Sequence, residues 1–202
     1  MLDIIMLVIA YLLGSISCAI LVCKFAGLPD PRTQGSGNPG ASNVLRVAGK
    51  TYAAITLVGD ALKGLIPVLL AQVMGMHPAM VSLVALAAVL GHMYPVFFKF
   101  KGGKGVATAI GTYFALSFPL GLIAAIIWVG LAFLFRYASL ASLAACALAP
   151  FICLIFNPAC FLGLIIIAAL VVWRHWENIE RLRQGTESKI VVEKPEGSTG
   201  NQ

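Results

Sequence analysis

Apolar residues run almost unbroken through this chain in stretches about as long as a bilayer is thick, at residues 4–23, 52–74, 79–98, 106–118, 120–135, 137–156 and 159–174. A helix on a soluble protein keeps a polar face, and runs of roughly 20 apolar residues leave none, so these segments are predicted to lie in lipid. With 60% hydrophobic and 11% charged residues, the chain has too little polar surface to enclose its apolar side chains in water. The expected fold is an all-α integral membrane protein of seven transmembrane helices. One domain is expected over residues 1–190, followed by a polar, disordered tail at 191–202. The first run lacks a basic start and has the length of a full span, so it reads as a retained helix and not as a signal peptide.

Length decides the division near the middle. As one helix, Val106 to Phe135 would be about 45 Å long against a hydrocarbon core of about 30 Å. Ser117, Phe118 and Pro119 supply the break. Charge supports the same count: seven spans place thirteen of the fourteen Lys and Arg on one side, in Lys24 to Lys50, Lys99 to Lys104, Arg136 and the segment from Arg174 onward. The opposite connections, around His77, Pro119 and Asn157, contain no Lys or Arg. The positive-inside rule then makes the basic side cytoplasmic, with the N-terminus outside and the C-terminus in the cytoplasm. It also accounts for the net charge of +6, which in a soluble protein would suggest nucleic acid. A six-span arrangement would export Arg174, Arg181 and Arg183.

The fourteenth cation, Lys63, follows Asp60 by three residues inside an apolar run, so the two share a helical face. A charge near a helix centre costs about 2.5–3.5 kcal/mol on insertion scales, so the pair is expected to face the bundle interior, either locking helices together or lining a polar site. The five cysteines include no CxxC pair and read as small packing residues.

Three segments carry the polar chemistry. The first, GLPDPRTQGSGNPGASNVLRVAGK, mixes Gly and Pro with Ser36, Gly37, Asn38, Ser42, Asn43, Arg32 and Arg46. It reads as irregular backbone whose amides and side chains can approach an anion. The second, KFKGGKGVATAIG, sets Gly102, Gly103, Lys104 and Gly105 at the start of a helix, where free N–H groups and the helix dipole favour negative charge. It lacks the GxxxxGK[ST] pattern, so nucleotide hydrolysis has no support. The third, WRHWENIERLRQGTESK, places His175 three residues before Asn178, on one face if the helix continues there. His175 could move or orient a proton and Asn178 could position a hydroxyl; as an interfacial residue beside Trp173 and Trp176, His175 could equally be an anchor. His92 reads as a packing or supporting group, and His77 lies in an outer turn.

Taken together, GSGNPGASNVLR, GDALKG, GHMYPVFFKFKGGKGVAT and RHWENIERLRQGTE resemble the acyl-phosphate-dependent glycerol-3-phosphate acyltransferases of bacteria, the PlsY family, in the right order over nearly the whole chain. The resemblance implies an enzyme of phospholipid biosynthesis in the bacterial inner membrane. It would move a fatty acyl group from acyl phosphate to the 1-hydroxyl of glycerol 3-phosphate, giving lysophosphatidic acid and inorganic phosphate without coenzyme A, cofactor or metal. Matched by position, the family's functional residues fall on Ser36, Arg46, Lys104, His175 and Asn178, with Gly37, Asn38, Ser42, Asn43, Gly102, Gly103 and Gly105 around the substrates. Asp60, Lys63 and His92 would form a supporting polar network. Ser42 stands where many members have threonine; the hydroxyl is kept. The resemblance also implies a peripheral enzyme that supplies the acyl phosphate. An organophosphate or phosphate transporter is the rival reading from another class, although no inverted repeat is evident.

Overall fold

The computed structural model describes residues 1–190, and the regular structure among them is helical. The tail expected at 191–202 lies outside the described residues. The first apolar run forms two helices, α1 (Leu2–Gly14) and α2 (Cys18–Phe25), bent by 40°. A bend frees backbone carbonyls that cannot be left unpaired in an apolar interior. Here Ser15 Oγ donates to the Tyr11 carbonyl at 2.8 Å and Lys63 Nζ donates to the Ile16 carbonyl at 2.7 Å.

The glycine-rich segment that follows is not wholly irregular, which corrects the sequence reading. It contains α3 (Ala41–Ala48), which buries Asn43 and Val44 on one side and is joined through Gly49 to the long α4 (Lys50–Val73). Next come α5 (Pro78–Met93) with a 3-10 turn at Val96–Phe98, α6 (Val106–Leu116), α7 (Phe118–Phe135) and α8 (Ala138–Phe156). A 3-10 turn at Pro158–Cys160 leads into α9 (Phe161–Arg174), and α10 (Trp176–Arg183) leaves it at 59°. The expected break near Pro119 falls on Ser117, which ends α6 and starts α7 in an extended conformation. His77 caps α5, its ring accepting from the Ala79 amide at 3.3 Å.

Four segments are long and apolar enough to cross a membrane: α4, Pro78–Phe98, α7 and α8. Each of the two bent pairs can count as one more, which makes up to six. The eleven-residue α6 is about 16 Å long and falls short of a ~30 Å core. It is pressed against α4 through glycines: a Cβ on Gly64 would overlap the Thr108 carbonyl, and one on Gly111 the Ala61 carbonyl. The same device joins α1 to α5, with Gly14 on the Ala88 carbonyl and Gly91 on that of Tyr11. Small residues let helix backbones approach where lipid gives no hydrophobic drive. Val84, Val89, Tyr113, Leu120, Leu164 and Ile167 fill the interior at 0% exposure, whereas Phe133 of α7 is 88% exposed and Ile155 of α8 is 76% exposed. Such an apolar exterior suits lipid and not water. Of the cysteines, all free, four are buried and Cys18 is half-buried.

Candidate functional site

A cavity of 1530 Å³ opens where the glycine-rich segments meet the end of α9. Its wall includes Ser36, Arg46, Lys104, His175 and Asn178, and also the loop residues Gly37, Asn38, Ser42, Gly102 and Gly105. Residues 139 positions apart in the chain thus face one space.

The segment before α3 is an exposed loop held by one buried side chain. Asn43 Oδ1 accepts from the Ser36 amide at 2.9 Å, while its Nδ2 donates to the carbonyls of Pro31 at 2.8 Å and Gln34 at 3.0 Å. Both amide hydrogens are thereby committed to the loop. Asn43 also lines the cavity, and its amide shapes the turn that carries Ser36. Asp30 and Arg32 clamp the outer side, Arg32 Nη2 lying 2.6 Å from Asp30 Oδ2. The hydrogen bond from Arg32 outweighs partial burial and holds the Asp30 carboxyl below its usual range. Ser36, Ser42 and Arg46 are exposed, and no protein group is bonded to the Arg46 guanidinium among the described residues.

The second loop is buried. Gly102 and Gly103 press on His92: a Cβ on the first would overlap the His92 carbonyl, one on the second its imidazole. The Gly103 amide donates to the His92 carbonyl at 3.1 Å. Gly105, at φ +85°, turns the chain into α6, a left-handed conformation that favours glycine. Lys104 Nζ donates to Asn178 Oδ1, and burial, followed by the nearby Arg181, lowers the lysine from its ordinary value.

Asn178 relays this contact. Its Nδ2 donates to Glu187 Oε1 at 2.6 Å, and Arg181 Nε donates to Glu187 Oε2 at 2.7 Å. Lysine on the oxygen side and carboxylate on the nitrogen side fix the orientation of the amide. Burial would raise the Glu187 carboxyl, but the hydrogen bonds from Arg181 and Asn178 are among the causes that prevail and lower it. Sequence reasoning missed Glu187, Arg181 and Arg174. The first two lie beyond Asn178 in the same polar run, where Arg181 was legible only as positive-inside charge and Glu187 only as a polar member of that run.

His175 also departs from expectation. α9 ends at Arg174 and α10 begins at Trp176, so His175 and Asn178 do not share a continuous helix; His175 is the hinge between two helices at 59°. The ring is 4% exposed, and its Nδ1 lies 2.7 Å from the Val171 carbonyl. Burial lowers its pKa to about 4, with the Val171 hydrogen bond acting the other way. A neutral imidazole facing a carbonyl must carry its proton on Nδ1, which leaves the Nε2 lone pair free to accept.

Beneath the loops, Lys63 Nζ lies 2.7 Å from Asp60 Oδ1, and His92 Nδ1 lies 3.7 Å from the same oxygen. Both Asp60 and His92 line the floor of the cavity, while Lys63 caps the bend of α1–α2. Lys63 thus ties α4 to the bend, and Asp60 lines the polar space. Among the described residues no group of three His, Cys, Asp or Glu could hold a metal ion. The lining also has an apolar part, with Leu57, Ile110, Trp128 and Val129.

Comparison with known proteins shows the family. The family described as glycerol-3-phosphate acyltransferase matches residues 4–185. A glycerol-3-phosphate acyltransferase of Coxiella burnetii (strain Dugway 5J108-111) is 50% identical over 93% of this chain and 97% of its own. One of Legionella pneumophila (strain Corby) is 51% identical over 92% of this chain and 68% of its own. Among solved structures, PlsY, an integral membrane glycerol 3-phosphate acyltransferase, superimposes in its glycerol 3-phosphate form with a TM-score of 0.89 at 43% identity, covering 94% of this chain and 96% of that one. Its lysophosphatidic acid form gives 0.87 at 42% identity, over 94% and 95%.

Proposed function

This chain belongs to the glycerol-3-phosphate acyltransferase family as an integral membrane enzyme, and we propose that its donor is a fatty acyl phosphate and its acceptor the 1-hydroxyl of glycerol 3-phosphate. The products are then lysophosphatidic acid and inorganic phosphate, as the first committed chemistry of a bacterial phospholipid. One observation carries this reading: a single cavity is lined both by the cations and glycine-rich loops and by apolar side chains such as Leu57, Ile110 and Val129. A donor with a phosphate head and a hydrocarbon tail fits both at once. Membership of an acyltransferase family sets the transporter reading aside.

Acyl phosphate is a mixed anhydride with a good leaving group, so the protein's task is to hold the reactants in line and neutralise charge. Lys104 and the amides at the start of α6 take one phosphate; Ser36 and Arg46, on the exposed loop, take the other. The 1-hydroxyl oxygen attacks the acyl carbon, a C–O ester bond forms, and the C–O bond to phosphate breaks with its electron pair leaving on phosphate. The hydroxyl proton has two destinations, His175 Nε2 and a phosphate oxygen. With an imidazole pKa of about 4, His175 is a weaker base than a phosphate monoester, whose second pKa is about 6. His175 therefore accepts a hydrogen bond that aims the hydroxyl, and the proton ends on phosphate. Transfer is direct, with no acyl-enzyme on Ser36 or on any cysteine.

The topology follows the same reading. Counting each bent pair once and α6 as a short crossing gives seven spans, a cytoplasmic site, an outside N-terminus and a location in the bacterial cytoplasmic membrane, with residues 1–190 as one catalytic domain. A peripheral enzyme would supply the acyl phosphate from the cytoplasm. The deciding experiment measures phosphate release from acyl phosphate plus glycerol 3-phosphate by the purified protein in detergent and, with acyl-CoA as the donor instead, release of the coenzyme A thiol. Rapid phosphate release and no thiol release are expected. Lys104→Ala should slow phosphate release about 100- to 1000-fold, the loss of about 2.7–4 kcal/mol typical of an oxyanion-hole donor. Equal use of acyl-CoA, or a trapped acyl group on Ser36, would overturn the assignment.

A further inference from the structure

Arg174 stands near the start of the third polar segment, yet the proposed mechanism gives it no part. Its Nη2 donates to the carbonyls of Gly102 at 3.1 Å and Gly103 at 3.2 Å, and its Nε to Gly103 at 3.3 Å. The guanidinium lies over the Tyr94 ring, 5.7 Å from its centroid, and the Tyr94 carbonyl is held in turn by Tyr11 Oη at 2.7 Å. Among the described residues, Arg174 pairs with no carboxylate within 4.0 Å. Its hydrogen bonds are spent on backbone carbonyls alone.

A trans peptide points its C=O and N–H in opposite directions. Holding the Gly102 carbonyl therefore turns the Gly103 N–H the other way, where it meets the His92 carbonyl. Holding the Gly103 carbonyl does the same to the next peptide and turns the Lys104 N–H away from Arg174. Among the described residues that N–H, and those of Gly105, Val106 and Ala107, have no acceptor, and all four residues line the cavity.

We propose that Arg174 is a positioning residue: by gripping two carbonyls it fixes the polarity of the glycine loop, so that the Lys104 amide and the first amides of α6 face the cavity as a ready-made phosphate site. The inference rests on the phosphate reading of the cavity. The role needs a guanidinium, because a planar fork reaches two neighbouring carbonyls and stacks on an aromatic ring together, whereas a lysine ammonium keeps the charge but not that geometry.

Hydrogen–deuterium exchange of the segment around residues 102–108 in the full-length protein, with and without inorganic phosphate, tests this without turnover. In the native protein, phosphate is expected to slow exchange of these amides. Arg174→Lys should lose most of that slowing and bind inorganic phosphate about tenfold more weakly, with its melting temperature kept. Tyr94→Leu, which removes the stack but leaves the donors, should weaken binding less and in the same direction. Wild-type affinity in Arg174→Lys would show that charge alone suffices and overturn the proposal. Should that variant not survive purification, unchanged affinity in Tyr94→Leu overturns it. Phosphate protection in the native protein without phosphate release from acyl phosphate would leave Arg174 its role and discard the donor assignment instead; no protection in this segment discards the Arg174 proposal whatever the turnover.

Discussion

The two glycine-rich loops face the same cavity but are built in opposite ways. The loop before α6 is buried and gripped from outside, by the His92 carbonyl and by Arg174. The loop before α3 is exposed and braced from within, by the three hydrogen bonds of Asn43. A buried, externally held loop keeps its amides where charge develops and pays no reorganisation during the reaction. An exposed loop can yield, which suits a small soluble substrate that must enter and leave. Fixed electrostatics on one side and exchange on the other divide the work of the site.

Alanine at matched glycines is the strongest way to break this contrast. In Gly102→Ala, the new Cβ meets the carbonyls of His92 and Met93 and the ring of Pro95, none of which is the free end of a flexible side chain. The loop must move, and a displacement near 1 Å can cost about 100-fold in rate. We expect a loss of that order or more in kcat with little change in expression. Gly37, unlike Gly102, is in the left-handed region, at φ +71°, but its Cβ would meet only the Arg32 carbonyl at 3.4 Å. Gly37→Ala therefore meets backbone strain of about 1–2 kcal/mol that a yielding loop can share, and a few-fold rise in the KM for glycerol 3-phosphate is expected. Equal losses in steady-state kinetics for the two variants would end the distinction.

Asn43 sharpens the other half. Asn43→Ala removes three hydrogen bonds, each contributing about 0.5–1.5 kcal/mol. Because the brace is internal to the exposed loop, the effect should be local: roughly tenfold in KM for glycerol 3-phosphate, with affinity of the other loop for inorganic phosphate unchanged. Asn43→Asp keeps the acceptor for the Ser36 amide but loses both donors, and should fall between. A fall in phosphate affinity at the α6 amides would mean that the loops are coupled.

Most of the membrane helices could be read from the lengths of their apolar runs, because α4, α5, α7 and α8 must match the bilayer on their own. The bends could not. That α1 breaks before Cys18 depends on Lys63, 47 residues away, reaching the Ile16 carbonyl, and no local pattern announces such a partner. Nor could α3, at eight residues, be separated from the glycine-rich segment around it. The candidate side chains Ser36, Arg46, Lys104, His175 and Asn178 were legible because polar groups are rare in so apolar a chain. Their supports were less so. Arg174 reads as another positive-inside charge until its three bonds to the glycine loop are seen, and Glu187 reads as one more polar residue of the third segment until it is found against Asn178 and Arg181.

The smallest expected effect concerns pH and the residue set between the loops. Folded His175 titrates at about 4 because it is buried, against about 6.5 in the unfolded chain. Between those values the unfolded state binds the extra proton, so stability rises with pH through this window and is lost on acidification. Above pH 6.5, His175 contributes no further change. Catalysis should follow the substrate instead: an acid limb near pH 6, the second ionisation of a phosphate monoester. In His175→Gln the rate should drop at all pH values, through loss of hydroxyl aim, while the limb stays near 6. If the limb disappears or moves with the substitution, His175 itself takes the proton, and chemistry that the comparison assigns to the loops and the substrates belongs to the hinge between α9 and α10.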